Sequence, residues 1–149
     1  MKQKVSHEDM DQTLRQLEKD YIEALDRNQS TSVEDFIDQF LKDSWEYNHQ
    51  NMENIKLVMK RYSQGDIYSS KFSGAFIEMV AHLQEKLASL DGDNHYPLVH
   101  SQLGASVLVA IVDGLVVQLY TGMYQVEDLQ DYSSQFKQVI LRALSTPTV

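Results

Sequence analysis

Apolar side chains recur along most of this chain at spacings of three and four residues, the period of one face of an α-helix. Polar breaks and turn clusters divide the chain into about six such stretches, and no stretch alternates as a β-strand does. The pattern therefore predicts an all-α protein, a single domain over residues 1–149 whose helices pack as an antiparallel bundle. The expected helices cover approximately residues 6–27, 31–45, 52–63, 67–90, 104–122 and 126–144.

Local signals mark several of the helix ends. Residues Thr31–Asp35 contain two overlapping capping boxes, which predict that the second helix starts there. The polar segment Tyr47–Asn51 is weakly helical and predicts an interruption before the third helix. Gly65 is suited to the C-terminal cap of that third helix, and the cluster Asp91–Asn94 predicts a turn before the fifth.

The fifth helix differs from the others in being apolar on nearly every side. From Ala105 to Val117 the run is broken by Ser106, Asp113 and Gly114. A surface helix needs one apolar stripe, whereas a helix that is apolar all round is covered on both faces. The run is shorter than the roughly 20 apolar residues of a membrane span, so no membrane association is expected. We therefore expect a partner subunit to cover the face that its own domain leaves open.

Asp113 lies in the middle of this apolar helix, where an unpaired charge is costly. One interpretation is structural: the carboxylate hydrogen-bonds a neighbouring helix end or loop, beside a glycine that permits close helix approach. The other is functional, with Asp113 as a polar anchor in a pocket. Because buried polar groups are usually satisfied within the protein, the sequence alone favours the structural interpretation.

Composition excludes several classes of function. Asp and Glu together number 22 against 13 Lys and Arg, a formal net charge of −9. A chain so acidic, with no basic cluster, is a poor nucleic-acid binder because phosphate contacts supply most of that affinity. The absence of cysteine removes disulfides, thiolate metal sites and a cysteine nucleophile. The N-terminus shows no signal peptide, and a cytoplasmic location is expected.

No motif in the sequence predicts a reaction. His82 and Glu85 lie one turn apart on the fourth helix with Glu78 one turn before, but this His-x-x-Glu order occurs once, whereas a di-metal bundle repeats its motif on two helices. There is no Ser nucleophile elbow and no phosphate-binding glycine loop. We expect neither an enzyme nor a metal or cofactor.

The chain resembles the C-terminal regulatory domain of TetR/AcrR-family transcriptional repressors. Residues 109–118, which contain Asp113-Gly114-Leu115 and Gln118, are similar to the family's penultimate helix with its Asp-Gly-Leu-x-x-Gln pattern. The stretch Ser6–Met10 resembles the segment with which the family leaves its DNA-binding module, and a final amphipathic helix follows as it does in the family. The likeness extends over nearly the whole chain and rests on loose patterns.

The resemblance implies a homodimer formed by the last two helices of each subunit, packed as a four-helix bundle. It also implies a pocket in each subunit for a hydrophobic or aromatic small molecule. Aromatic and methionine side chains of the middle helices, which periodicity alone would assign to the core, then become pocket candidates. The candidate ligand-binding residues are Phe40, Trp45, Met52, Ile55, Met59, Phe72, Phe76, Met79 and Asp113. The candidate dimer-interface residues are Val116, Tyr120, Met123, Tyr132, Phe136 and Val139.

The sequence departs from the family at its beginning. Repressors of this type carry a helix-turn-helix module ahead of the regulatory domain, and this sequence contains no basic recognition helix. We therefore expect a small-molecule-sensing and dimerisation domain without DNA-binding capacity of its own. The alternative is a helical interaction module that docks a partner, such as a full-length regulator, through its last two helices.

Overall fold

The computed structural model describes residues 7–64 and 69–147, and within them the chain is a bundle of six α-helices without a β-strand. This confirms the predicted all-α fold. A short 3₁₀-helix, Pro97–His100, precedes the fifth α-helix. The helices are α1 (His7–Arg27), α2 (Val33–Gln50), α3 (Met52–Ser63), α4 (Ser69–Leu90), α5 (Gln102–Tyr120) and α6 (Val126–Leu144).

The helix ends agree with the sequence at α2 and α6 and differ after Trp45. Ser32 caps α2, since its hydroxyl oxygen accepts the backbone N–H of Asp35 at 3.1 Å. The predicted interruption is present but is confined to Asn51, because α2 continues past Trp45 to Gln50 and α3 begins at Met52. Weak helix propensity is overridden there by tertiary packing. The predicted cap Gly65 lies outside the described residues.

Helix α2 is held against α6 by its largest side chain. Trp45 is fully buried, and its indole N–H donates to Ser133 Oγ at 2.7 Å. Its ring packs edge to face with the ring of Phe136, and the two ring centroids are 6.2 Å apart. Lys137 adds an ion pair of 2.7 Å with Asp38. On the other side of the bundle α1 packs on α4, and α4 packs on α5. The apolar stripes predicted from the sequence thus converge on a shared core.

The loop before α5 is organised around a buried carboxylate. Asp91 accepts the backbone N–H groups of His95 and Tyr96, both at 3.0 Å, and His100 Nε2 lies 2.9 Å away. This loop brings Leu98 so close to α5 that a Cβ at Gly104 would overlap the Leu98 carbonyl oxygen. The 3₁₀-helix and this close approach were not predicted from the sequence.

Helix α5 is covered on one side and open on the other. Leu108 and Val112 are buried in the core, whereas Leu103 and Val117, on the opposite face, are more than half exposed. The apolar run Ala105–Val117 by itself is shorter than a membrane span. The helix itself has 19 residues and is long and apolar enough to cross one by length and composition, a property that core helices also show. In the described part of the chain it packs against α2, α4 and α6.

Candidate functional site

A partly open cavity of about 960 Å³ lies between the first five helices. Such a volume is at the upper end of the range for small-molecule sites. Helix α1 packs on α3 and α4, and α4 packs on α5, so that the cavity lies among these helices and α2. The apolar part of its wall includes Leu14 and Tyr21 from α1, Phe40 from α2, Ile55 and Val58 from α3, Met79 and Val80 from α4, and Val109, Val112 and Val116 from α5.

Asp113 projects into this cavity from the edge of the buried face of α5. Asp113 is exposed to solvent through the open cavity, and apolar side chains of the cavity wall lie around it. Desolvation by these side chains raises the pKa of Asp113 to about 6. Among the described residues it has no hydrogen-bond or ion-pair partner, so the structural hydrogen bond favoured from the sequence is not formed.

The hydroxyl of Tyr21 is the second unpartnered polar group at the cavity wall. Its oxygen is fully buried and has no hydrogen-bond partner among the described residues. Its ring meets Phe40 edge to face, with centroids 6.2 Å apart. Burial and, to a smaller extent, the negative charge of Asp113 raise the pKa of Tyr21 well above its usual value. The tyrosine and the carboxylate are therefore near enough to interact electrostatically.

Two further tyrosines at the wall already donate hydrogen bonds from their hydroxyl groups to other side chains. Tyr120 donates to Asn48 Oδ1 at 2.7 Å, and Tyr47 donates to a carboxylate oxygen of Asp20 at 2.8 Å. Burial, followed by the charge of Asp113, raises the pKa of Tyr120. Burial and the hydrogen bond to Asp20 raise that of Tyr47. Both phenols are neutral donors at physiological pH, and each keeps lone pairs free to accept.

The basic side chains at the cavity stand at its rim. Lys56 is exposed and places its ammonium 5.8 Å from the centre of the Tyr120 ring, a cation–π contact. Arg27, at the end of α1, is also exposed. The wall around Asp113 is thus apolar and aromatic with hydrogen-bond acceptors, and its exposed groups include Asp113 itself beside the two positive charges.

The structure brings five of the nine candidate ligand residues to the cavity: Phe40, Ile55, Met59, Met79 and Asp113. Trp45 lies instead at the contact of α2 with α6, and Met52 packs against the main core. The side chains of Phe72 and Phe76 lie outside the described residues. Periodicity identified these positions as inward-facing, but it could not say which neighbouring helix each would meet.

The candidate dimer-interface residues divide into two groups. Met123, Tyr132 and Val139 are exposed by 68%, 46% and 58%, and the ring of the half-buried Phe136 stacks edgewise on Tyr132. In contrast, Val116 is 5% exposed and Tyr120 is half-buried, and both line the cavity of their own subunit.

Histidines and acids form no metal site in the described part of the chain. His82, the member of the His-x-x-Glu pattern, is paired with Asp26 of α1 at 2.8 Å. His100 is paired with Asp91. Both rings thus tie one segment of the bundle to another, and neither lies at the cavity.

Tyr21, Tyr47 and Asn48 are wall residues that no sequence signal marks as part of a site. Tyr21 lies four residues from both Leu17 and Leu25, which places it on one helix face but says nothing of its unpaired hydroxyl. Tyr47 and Asn48 fall in the segment predicted to interrupt the helix. Their alignment with α5 depends on α2 continuing past Trp45, and no local signal marks that.

Comparison of the chain with models of protein families, with curated proteins and with solved structures finds no match.

Proposed function

We propose that this chain is a small-molecule-sensing and homodimerisation domain of the kind found in TetR-like transcriptional regulators. The observation that carries the proposal is the cavity of about 960 Å³ between the first five helices. A cavity of that size leaves its apolar walls without packing partners, which a protein interior normally avoids. A ligand that fills it would restore those contacts.

The exposed apolar residues of the last two helices support the dimerisation part of the proposal. Tyr132, Phe136 and Val139 recur at spacings of four and three on α6, and so form one stripe that borders the buried side of the helix. On α5, Leu103 and Val117 lie on the open face. Contiguous apolar surface of this type is typical of subunit contacts.

Sensing would follow if the ligand favours one arrangement of the subunits over another. Helix α5 links the two features, since Val112 and Val116 line the cavity and Leu103 lies on the open side, while Val117 lines the cavity and is more than half exposed. A ligand that displaces α5 outward would alter the surface offered to the partner subunit. The same open surface would serve the alternative function, docking of an unrelated protein.

The solution mass of the purified chain, measured by light scattering after size exclusion, tests the dimer. We expect two subunits for the unaltered chain. Val139→Asp should yield monomer because it places a charge in the apolar stripe, whereas Ser134→Asp, on another exposed side of α6, should remain dimeric. A monomeric unaltered chain would contradict homodimerisation and favour the docking alternative.

Binding within the cavity is tested separately with Ala24→Phe. Ala24 is among the smallest side chains of the wall, so a phenyl ring there should occupy ligand space. Any compound found to raise the melting temperature of the unaltered chain should lose that effect in the variant. A stabilising compound that acts equally on both proteins binds elsewhere and would contradict the proposed site.

A further inference from the structure

We infer that the cavity takes an amphipathic organic cation, an amine on an aromatic or aliphatic body, whose ammonium contacts Asp113 and the hydroxyl oxygens of Tyr21 and Tyr120. This inference rests on the proposed ligand-binding function and deepens it by naming the class of ligand. Four properties of the wall support it: the unpaired carboxylate, the balance of donors and acceptors, the unpartnered hydroxyl of Tyr21, and the charge and shape of the cavity.

The carboxylate is the first reason. Asp113 has no ion-pair or hydrogen-bond partner among the described residues, although it lies in an apolar helix next to a large space. An isolated carboxylate in such surroundings is stabilised most by a positive group that brings its own hydrogen-bond donors. A neutral ligand would leave its charge uncompensated, and an anionic ligand would be repelled.

The hydrogen-bonding capacity of the wall points the same way. The phenol protons of Tyr120 and Tyr47 are used within the protein, and one amide proton of Asn48 is donated to the backbone carbonyl of Ser44 at 2.7 Å. The carboxylate oxygens and the phenol lone pairs near Asp113 remain free to accept, beside the uncommitted hydroxyl proton of Tyr21. A primary ammonium has three donors and no acceptor, and so complements this wall.

The buried hydroxyl of Tyr21 is independent support. A buried polar atom without a partner is uncommon in a folded protein and costs free energy. This one belongs to a cavity-lining side chain that interacts with Asp113. Because the Tyr21 oxygen has no accessible surface, an ammonium at Asp113 reaches it only if the Tyr21 ring shifts toward the cavity, and the ammonium would then give both groups a partner.

Charge and shape complete the case. Asp20, Glu23, Asp43, Glu46 and Asp113 line the cavity or its rim against Arg27 and Lys56, and the whole chain carries −9. The aromatic rings of Tyr21, Phe40 and Tyr120 supply faces and edges for a flat or greasy body, and aromatic faces also attract cations. A potential of this sign raises the local concentration of cations.

The experiment uses three compounds that share one body and differ in charge: 4-phenylbenzylamine, 4-phenylbenzyl alcohol and biphenyl-4-carboxylic acid. Their binding to the full chain is measured by isothermal titration calorimetry at pH 7.5. We expect the amine to bind about tenfold more tightly than the alcohol, the size of a charge-assisted hydrogen bond, and the acid to bind most weakly. Asp113→Asn should abolish the preference for the amine and leave the affinity of the alcohol unchanged.

Two controls make the outcomes distinct. Asp131→Asn removes the same charge from an exposed position on α6 outside the cavity, and should keep the preference for the amine. Ala24→Phe should weaken all three compounds. Equal binding of amine and alcohol, or a preference that survives Asp113→Asn, would overturn the cation assignment and leave the cavity as a ligand site. Failure of all three compounds to bind, or binding unaffected by Ala24→Phe, would overturn the proposed ligand site as well.

Discussion

Replacing Asp113 by asparagine should stabilise the protein at neutral pH, although it changes a residue that we place at the functional site. Asparagine keeps the size of the side chain and removes its charge. The pKa of Asp113 is about 6 in the folded protein because of burial, against an ordinary value of 3.8. The folded state therefore holds this proton more firmly than the unfolded chain does, and ionisation favours unfolding.

The sign and size of the effect follow from that difference in pKa. Below about pH 4 the group is protonated in both states and contributes nothing. As the pH rises from 3.8 to about 6, ionisation of Asp113 lowers the free energy of unfolding. Above about pH 6 this loss stays constant. A rise of about two pKa units corresponds to about 3 kcal/mol for a fully desolvated group. Because Asp113 keeps solvent contact through the open cavity, we reduce this to about 1 kcal/mol.

Groups on the neighbouring helices do not offset this cost. Tyr21 on α1, Tyr47 on α2 and Tyr120 on α5 remain protonated throughout this range, because the pKa of each is raised above its usual value. Lys56 on α3 is exposed and forms its contact with the ring of Tyr120. The cost of the ionised carboxylate therefore persists until a ligand or another cation reaches it.

Thermal unfolding of the two proteins, followed by circular dichroism at one fixed protein concentration, measures the effect. We expect Asp113→Asn to melt about 2–4 °C above the unaltered chain at pH 7.5, and the difference to shrink toward zero near pH 4. Other titrating groups are common to both proteins and cancel in the difference. A difference in melting temperature that stays constant between pH 4.5 and pH 7.5, or a variant that is less stable than the unaltered chain at pH 7.5, would contradict the conclusion that the Asp113 carboxylate is unpaired. Asp131→Asn should show no comparable pH-dependent gain.

Three further substitutions test the cavity wall and the approach of the loop to α5. Tyr21→Phe should raise the free energy of unfolding by about 1 kcal/mol in urea titrations, because it removes a buried unpaired hydroxyl; a loss of that size would mean the hydroxyl has a partner. Gly104→Ala should cost about 2 kcal/mol or more, since its Cβ overlaps the Leu98 carbonyl. Gly114→Ala, with open space at the same type of position, should gain about 0.5–1 kcal/mol; equal effects of the two glycine substitutions would contradict the close approach.

How far the sequence could predict this molecule depends on the range of the forces involved. The helices follow from a period within single segments, and the cap at Ser32 follows from a contact of three residues, so both were predictable. Trp45 shows the limit: its apolar position was evident, but its partner Ser133 lies 88 residues away. The spacing between helices decides which inward-facing side chains line the cavity. No local sequence pattern encodes this spacing. The segment beyond Trp45 was misjudged for the same reason, since its helix is stabilised by contacts with other elements.

The sign of the stability change on substitution distinguishes a ligand-binding residue from a residue needed for folding. In a residue retained for folding, removing the polar group lowers stability. Asp113 and Tyr21 should behave in the opposite way, each variant gaining stability in the free protein while losing affinity for an amine. Such opposition is expected where a site is held ready for a partner that supplies the missing interaction. If the two groups act on one ammonium, the affinity losses of Asp113→Asn and Tyr21→Phe will be non-additive in the double variant, as expected for residues that share a partner. Strictly additive losses would place the two groups on separate parts of the ligand and contradict the shared contact.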